Sequence, residues 1–214
     1  MRSKAAVRAP LSRHGAIEGG SAWSVAPVES FLVSITTISI AEIGDRTQLL
    51  SLMLAAHYRR PWPIILGILI ATLVNHSAAG FLGVWLGRFL TPAVLDAAVG
   101  VSMVAMALWM LKPDRLGDNA PVPRRGAFAA TLICFFIAEI GDKTQIATMV
   151  LAAGYPSLTA VVAGTTAGML VANVPVVFLG HAFATRLPMK AIHWGAAVLF
   201  TALGAMFIAR AFWH

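Results

Sequence analysis

Charge is what this chain has least of. Only 12% of its 214 residues are charged, about half the share of an ordinary soluble domain. So few charges cannot cover a water-facing surface, which excludes a soluble globular fold. Acids are scarcer than bases, nine against sixteen. There is one cysteine, Cys134, which excludes an intrachain disulfide and reports no redox compartment. Its apolar setting predicts a small buried hydrophobe. There is no His-Glu-x-x-His motif, no Cys/His cluster and no visible nucleophile–base pair. That weighs against an intramembrane metalloenzyme and against structural zinc, and the chain is expected not to be an enzyme. No nucleotide-binding motif is present, so direct coupling to ATP is not expected. Residues 1–27 lack the apolar core of a cleavable signal peptide. With Arg2, Lys4, Arg8, Arg13 and the pair Gly19-Gly20, they read as a disordered basic tail.

What the chain does have is apolar length. It is 58% hydrophobic, with a mean hydropathy of +0.79. Six apolar segments cover 31–56, 64–86, 93–111, 127–153, 158–182 and 191–209. Each is near or above the roughly 20 residues that span a hydrocarbon core. Spanning strands would be about 10 residues long with alternating polarity, which these are not. The expected fold is an all-α polytopic membrane protein with six transmembrane helices. The net charge of +7 is spread over loops and helix ends, so it reads as a topology signal and not as a nucleic-acid surface. Trp62, Trp85, Trp109, Trp194 and Trp213 fall near expected helix ends, as an interfacial aromatic belt would.

The segment Ile40-Ala-Glu-Ile-Gly-Asp-Arg-Thr-Gln48 returns 97 residues later as Ile137-Ala-Glu-Ile-Gly-Asp-Lys-Thr-Gln145. The same offset aligns Phe31 with Phe128, Gly67 with Gly164, and Phe81-Leu82-Gly83 with Phe178-Leu179-Gly180. The chain is therefore a tandem repeat of three helices each. Repeat 1 covers 28–111, a cytoplasmic linker 112–126, and repeat 2 127–214. Three is odd, so the second repeat must enter the membrane from the opposite side, as in the inverted repeats of many secondary transporters. Expected loops 1–2, 3–4 and 5–6 hold eight basic residues, and the other side holds only Arg88 and Arg210 once the tail is set aside. The richer loops then lie in the cytoplasm, with both termini outside. Gly164-Thr-Thr-Ala-Gly168 and Gly83-Val-Trp-Leu-Gly87 carry the spacing of close helix packing.

Four of the nine acids sit in the two motifs, inside apolar segments. Each costs about 2.5–3.5 kcal/mol on insertion scales, so a matched set of four points to one intramembrane polar site. On a regular helix of about 100° per residue, Glu42, Asp45 and Gln48 share one face about 120° wide, and Thr47 falls off it. Glu139, Asp142 and Gln145 repeat the face, and Thr144 falls off it. Gly44 and Gly141 are places where each helix can break, which would bring the threonines into play. The candidate metal ligands are Glu42, Asp45, Gln48, Glu139, Asp142 and Gln145, with Thr47, Thr144, Asn173, Asn75 and His76 as secondary candidates. His76 is also a candidate proton relay. An all-oxygen set suits Mg²⁺, Ca²⁺ or Mn²⁺. Arg46 and Lys143 each follow their Glu by four residues, within reach of an i,i+4 pair. Four carboxylates less two cations leave −2, which one divalent ion neutralises and which protons would replace when it leaves. Asp96, at the start of the third helix, is expected to stay solvated or to cap.

The duplicated Glu-x-Gly-Asp-(Lys/Arg)-Thr pattern, at Glu42–Thr47 and Glu139–Thr144, resembles the signature of the Gdt-type divalent cation transporter family. That family includes Golgi manganese/calcium transporters and bacterial manganese exporters. The resemblance covers about residues 28–212. It implies divalent cation transport with Glu42, Asp45, Glu139 and Asp142 as ligands. The short central loop fits a bacterial or organellar member. The resulting expectation is a secondary transporter in a bacterial inner membrane, exporting Mn²⁺ from the cytoplasm in exchange for H⁺. Its partners are the ion, the proton and the lipid bilayer. No cofactor is expected, nor any nucleic acid. A Ca²⁺/H⁺ antiporter of the same architecture is the alternative, and a divalent cation channel is the alternative of a different class. The sequence does not report Mn²⁺ against Ca²⁺ preference, stoichiometry or oligomeric state.

Overall fold

The computed structural model describes residues 19–111, 126–179 and 189–213. The expected cytoplasmic linker lies almost wholly outside these residues, as does the first part of the tail. Among the described residues the chain is helical and contains no strand. In chain order the helices are α1 (Gly19–Glu42), α2 (Arg46–Tyr58), α3 (Pro61–Gly87), α4 (Pro92–Met110), α5 (Ala127–Glu139), α6 (Lys143–Gly154), α7 (Leu158–Leu179) and α8 (Met189–Ala211). Prolines open α3 and α4, where the missing N–H has no helical partner to lose. The helix α1 already begins at Gly19, so residues 19–27 of the expected tail are helical.

The main departure from a regular six-helix reading is at the two motifs. The first and fourth apolar segments are each broken in two. The helices α1 and α2 meet at 70°, and α5 ends at Glu139 before α6 starts at Lys143. The cause is local. Gly44 and Gly141 have φ of +82° and +72°, a region open to glycine and unfavourable for side chains with a Cβ. Four helices are long and apolar enough to cross a membrane: α3, α4, α7 and the part of α8 from His193. The bent α1–α2 pair makes a fifth. This is an integral, multi-pass membrane protein.

Its packing is that of a lipid-facing bundle. Phe81, Leu73, Val74, Val101, Leu108 and Val198 are exposed. Glu42, Asp45, Glu139, Asp142, Lys143 and Asn173 are buried. The reversal is expected where lipid, not water, surrounds the bundle. The helix α1 lies along α7, α3 lies against α5, α6 and α7, and α4 pairs with α8. Small residues set these distances. A Cβ at Gly164 would sit 2.6 Å from the Phe31 carbonyl, and one at Gly168 would sit 2.9 Å from the Ile35 carbonyl. A Cβ at Gly83 would run into the Met149 carbonyl. Backbones thus approach where no side chain intervenes. The tryptophans Trp62, Trp85, Trp109, Trp194 and Trp213 are all exposed. Cys134 is half-buried against the cluster that contains Leu50 and Phe135. Asp96 departs from expectation. It is buried and pairs with Arg210 at 3.3 Å, because α8 runs beside α4 and delivers the guanidinium there.

Candidate functional site

Each break ends one helix on a glutamate and starts the next on an aspartate. Asp45 and Asp142 occupy the N-cap positions of α2 and α6, both with extended backbone. Asp45 N–H donates to the Glu42 carbonyl, and Asp142 N–H to the Glu139 carbonyl, both at 3.0 Å. The two linkers are therefore built alike. Both aspartates sit at helix N-termini, where free N–H groups favour negative charge.

The breaks bring Glu42, Asp45 and Asp142 together. One carboxylate oxygen from each lies within 4.8 Å of the others, and all three residues are buried. Oxygens around a hard divalent ion sit about 2.0–2.6 Å from it, so opposite ligands stand about 5 Å apart or less. The cluster is thus the size of one ion's inner shell. Glu42 Oε2 accepts a 2.5 Å bond from Thr47 Oγ1, while its Oε1 is buried and makes no hydrogen bond among the described residues. A buried carboxylate oxygen in that condition is rare, and it is suited to a cation. Thr144 Oγ1 donates to Asp142 Oδ2 at 3.2 Å. The break has thus drawn both threonines onto the carboxylates.

Glu139 stands apart from this group. It is buried and turned to α3, where Thr72 Oγ1 donates at 2.5 Å and Asn75 Nδ2 at 3.1 Å. Thr72 has no place in the sequence reading. The available signal was a hydroxyl one turn before Asn75 on an otherwise apolar helix.

The basic residues are placed differently from the i,i+4 expectation. Arg46 pairs with Asp142 of the other motif at 3.0 Å, and Lys143 pairs with Asp45 at 2.6 Å. Arg46 also donates to the Ala138 carbonyl at 2.7 Å. The i,i+4 geometry fails because the helix stops between Glu42 and Arg46, so each cation faces across the site. The pairs differ in burial: Lys143 is 3% exposed and Arg46 35%.

The glutamines are engaged by the backbone. Gln48 Oε1 accepts from Gly44 N–H at 2.9 Å, and Gln145 Oε1 from Gly141 N–H at 2.8 Å. Each glutamine, expected on the ligand face of a regular helix, thus ties down the glycine of its own break. Asn173 makes no hydrogen bond to the carboxylates among the described residues. Its oxygen accepts from Ser51 at 2.6 Å and its amide donates to the Met169 carbonyl at 3.0 Å. His76 is fully buried, and neither ring nitrogen has a hydrogen-bond partner among the described residues.

Comparison with known proteins follows the same lines. The profile of the family described as divalent cation/proton antiporter GDT1 matches residues 30–118 and 127–213. A Vibrio cholerae protein named as a candidate manganese exporter is 49% identical over 186 residues, covering 85% of this chain and 93% of that protein. The Saccharomyces cerevisiae divalent cation/proton antiporter GDT1 is 22% identical over 97% of this chain and 92% of its own length. A GDT1-like protein of Synechocystis is 26% identical over 80% of this chain and 92% of its own length. No solved structure matches. The family is one of membrane transporters and not of enzymes, with divalent cations as cargo and not as cofactors. With both motifs inside the matched residues and their acids buried at two helix breaks, this chain belongs to the GDT1 divalent cation/proton antiporter family.

Proposed function

We propose that this protein exports Mn²⁺ from the cytoplasm in exchange for protons, through one ion site shared by its two motifs. The observation that carries this reading is the buried group of Glu42, Asp45 and Asp142, with a Glu42 oxygen free of hydrogen bonds. These three are the ligands, and Glu139 joins them by leaving Thr72 and Asn75. Thr47 and Thr144 hold the carboxylates in place. With Arg46 and Lys143 set against four carboxylates, the site carries a net charge of −2, which one divalent ion or two protons neutralise. Uncompensated charge in a low-dielectric interior is strongly disfavoured, so the two cargoes exclude each other. That exclusion is the physical basis of exchange.

The architecture assigned here is six spans in two inverted repeats, each with a broken first helix. Residues 1–27 stand ahead of repeat 1, and the cytoplasmic linker joins the repeats. The packing supports it: shifting by 97 residues turns the α1–α7 contact into the α5–α3 contact. Both termini lie outside a bacterial inner membrane. The 49% identity to the Vibrio protein favours Mn²⁺, while the donor set alone admits Ca²⁺ equally.

Metal-resolved flux in proteoliposomes tests this. Mn²⁺ entering the vesicles should drive protons out, and an imposed pH gradient should accelerate it. Glu42→Gln keeps the shape of the side chain and should abolish both signals. Flux indifferent to the pH gradient, with membrane potential clamped and no proton movement, refutes exchange. Faster Ca²⁺ than Mn²⁺ flux refutes the assigned cargo.

A further inference from the structure

The two motifs are alike in sequence and unlike in how their second halves are held. Gln48 is 4% exposed. Beyond its bond to Gly44, its amide donates to the Ala172 carbonyl of α7 at 3.1 Å. One turn on, Ser51 donates to Asn173 of α7 at 2.6 Å. Two buried polar bonds therefore tie α2 to α7. The 97-residue offset maps these pairs onto Gln145 with Asn75, and Thr148 with His76, across α6 and α3. Neither bond is made there among the described residues. Gln145 borders a cavity of about 280 Å³ with Ala78, Ala79, Leu82, Ile146 and Met149. Thr148 turns back to the Thr144 carbonyl of its own helix at 2.8 Å. The Asn75 amide is taken by Phe136 and Glu139, and His76 is unpartnered. What joins α6 to α3 instead is close approach at Gly83, where an added Cβ would run into the Met149 backbone, with Ala152 in ordinary contact at Gly80.

We infer that Gln48 is a positioning residue that latches the α2 arm to α7, and that its repeat mate Gln145 makes no such latch in this state. The arm carries Asp45 at its N-cap. Its attachment thus fixes one ligand of the ion site relative to α7, and releasing it moves that ligand. The inference rests on the transporter reading above only for its effect on flux; the latch itself is a statement about which arm is tethered.

The test uses full-length protein with Cys134→Ser. A reporter Leu52→Cys is placed on α2, and its repeat equivalent Met149→Cys on α6. Gln48→Glu keeps the acceptor for Gly44 N–H and loses the donor to Ala172. Gln145→Glu adds the same charge but has no cross-helix bond to lose. Ser51→Ala and Thr148→Ala form a second matched pair without added charge. Loss of one buried hydrogen bond should raise thiol labelling at Leu52→Cys about fivefold in Gln48→Glu and in Ser51→Ala. Labelling at Met149→Cys should stay at its parent level in Gln145→Glu and Thr148→Ala. Equal rises on both arms, or none on α2, overturn the latch. These readings need no cargo, so they stand apart from failure of Mn²⁺ transport in the parent. Where the parent transports, Gln48→Glu should lose about tenfold in maximal rate and keep KM within about twofold. A raised KM at unchanged maximal rate would make Gln48 an ion ligand, and the latch would be wrong.

Discussion

At the scale of the residue, the two ion pairs are chemically similar and differently placed. Lys143 and Asp45 are both shielded from solvent, whereas Arg46 is one-third exposed. Removing one partner of a buried pair strands the other charge and costs about 3–5 kcal/mol, and the cost falls where water can reach the charge left behind. Both Lys143→Ala and Arg46→Ala strand a buried aspartate, but water can enter the space left by the part-exposed Arg46, so Lys143→Ala should lower the melting temperature of the detergent-solubilised protein more. Equal melting temperatures would contradict the assigned burial. Charge-preserving exchange should do better than alanine at both positions. Arg46→Lys should keep most of the parent's transport, because one guanidinium nitrogen serves both Ala138 and Asp142 and an ammonium has donors enough for both. The cross-pairing itself was not legible in the sequence. Spacing along a helix gives i,i+4 neighbours only while the helix continues, and here it stops between the acid and the base.

At the scale of the element, the breaks depend on one glycine each. Gly141 has open space around it, with nothing within 4 Å of an added Cβ, so its φ of +72° is the only obstacle to a side chain. A non-glycine residue in the left-handed region costs about 1–2 kcal/mol, and asparagine tolerates it best. Gly141→Ala should thus lower Mn²⁺ transport several-fold, with Gly141→Asn retaining more; alanine matching asparagine would show that the left-handed turn is not required. Packing glycines fail for another reason. Gly164→Val would push side-chain atoms into the α1 backbone near Phe31 and should destabilise the α1–α7 pair by about 1–3 kcal/mol, measured as a lower melting temperature. An unchanged melting temperature would show that α1 and α7 are not so close. The apolar segments, the motif glycines and the small-residue contacts could all be read from the sequence, since each is a local property of composition or spacing. The 70° bend was legible only as a possibility marked by Gly44. The roles of Thr72, Ser51 and Gln48 were hidden because they depend on which helix packs beside them.

At the scale of the whole molecule, the account rests on both repeats supplying one site. The carboxylates of Glu42 and Asp45 come from the first motif, that of Asp142 from the second, and the basic partners cross between them. Neither motif alone supplies all three clustered carboxylates. The inverted arrangement proposed above predicts that reagents confined to one face of oriented vesicles reach the loops after α2 and α6 from opposite sides. Labelling of both from one face would contradict it. The most direct measurement of the central claim is calorimetric titration of the purified protein with Mn²⁺. A shared site predicts one ion per chain, lost in Asp45→Asn alone and lost equally in Asp142→Asn alone. Two ions per chain, or parent-like binding in either single variant, would contradict it.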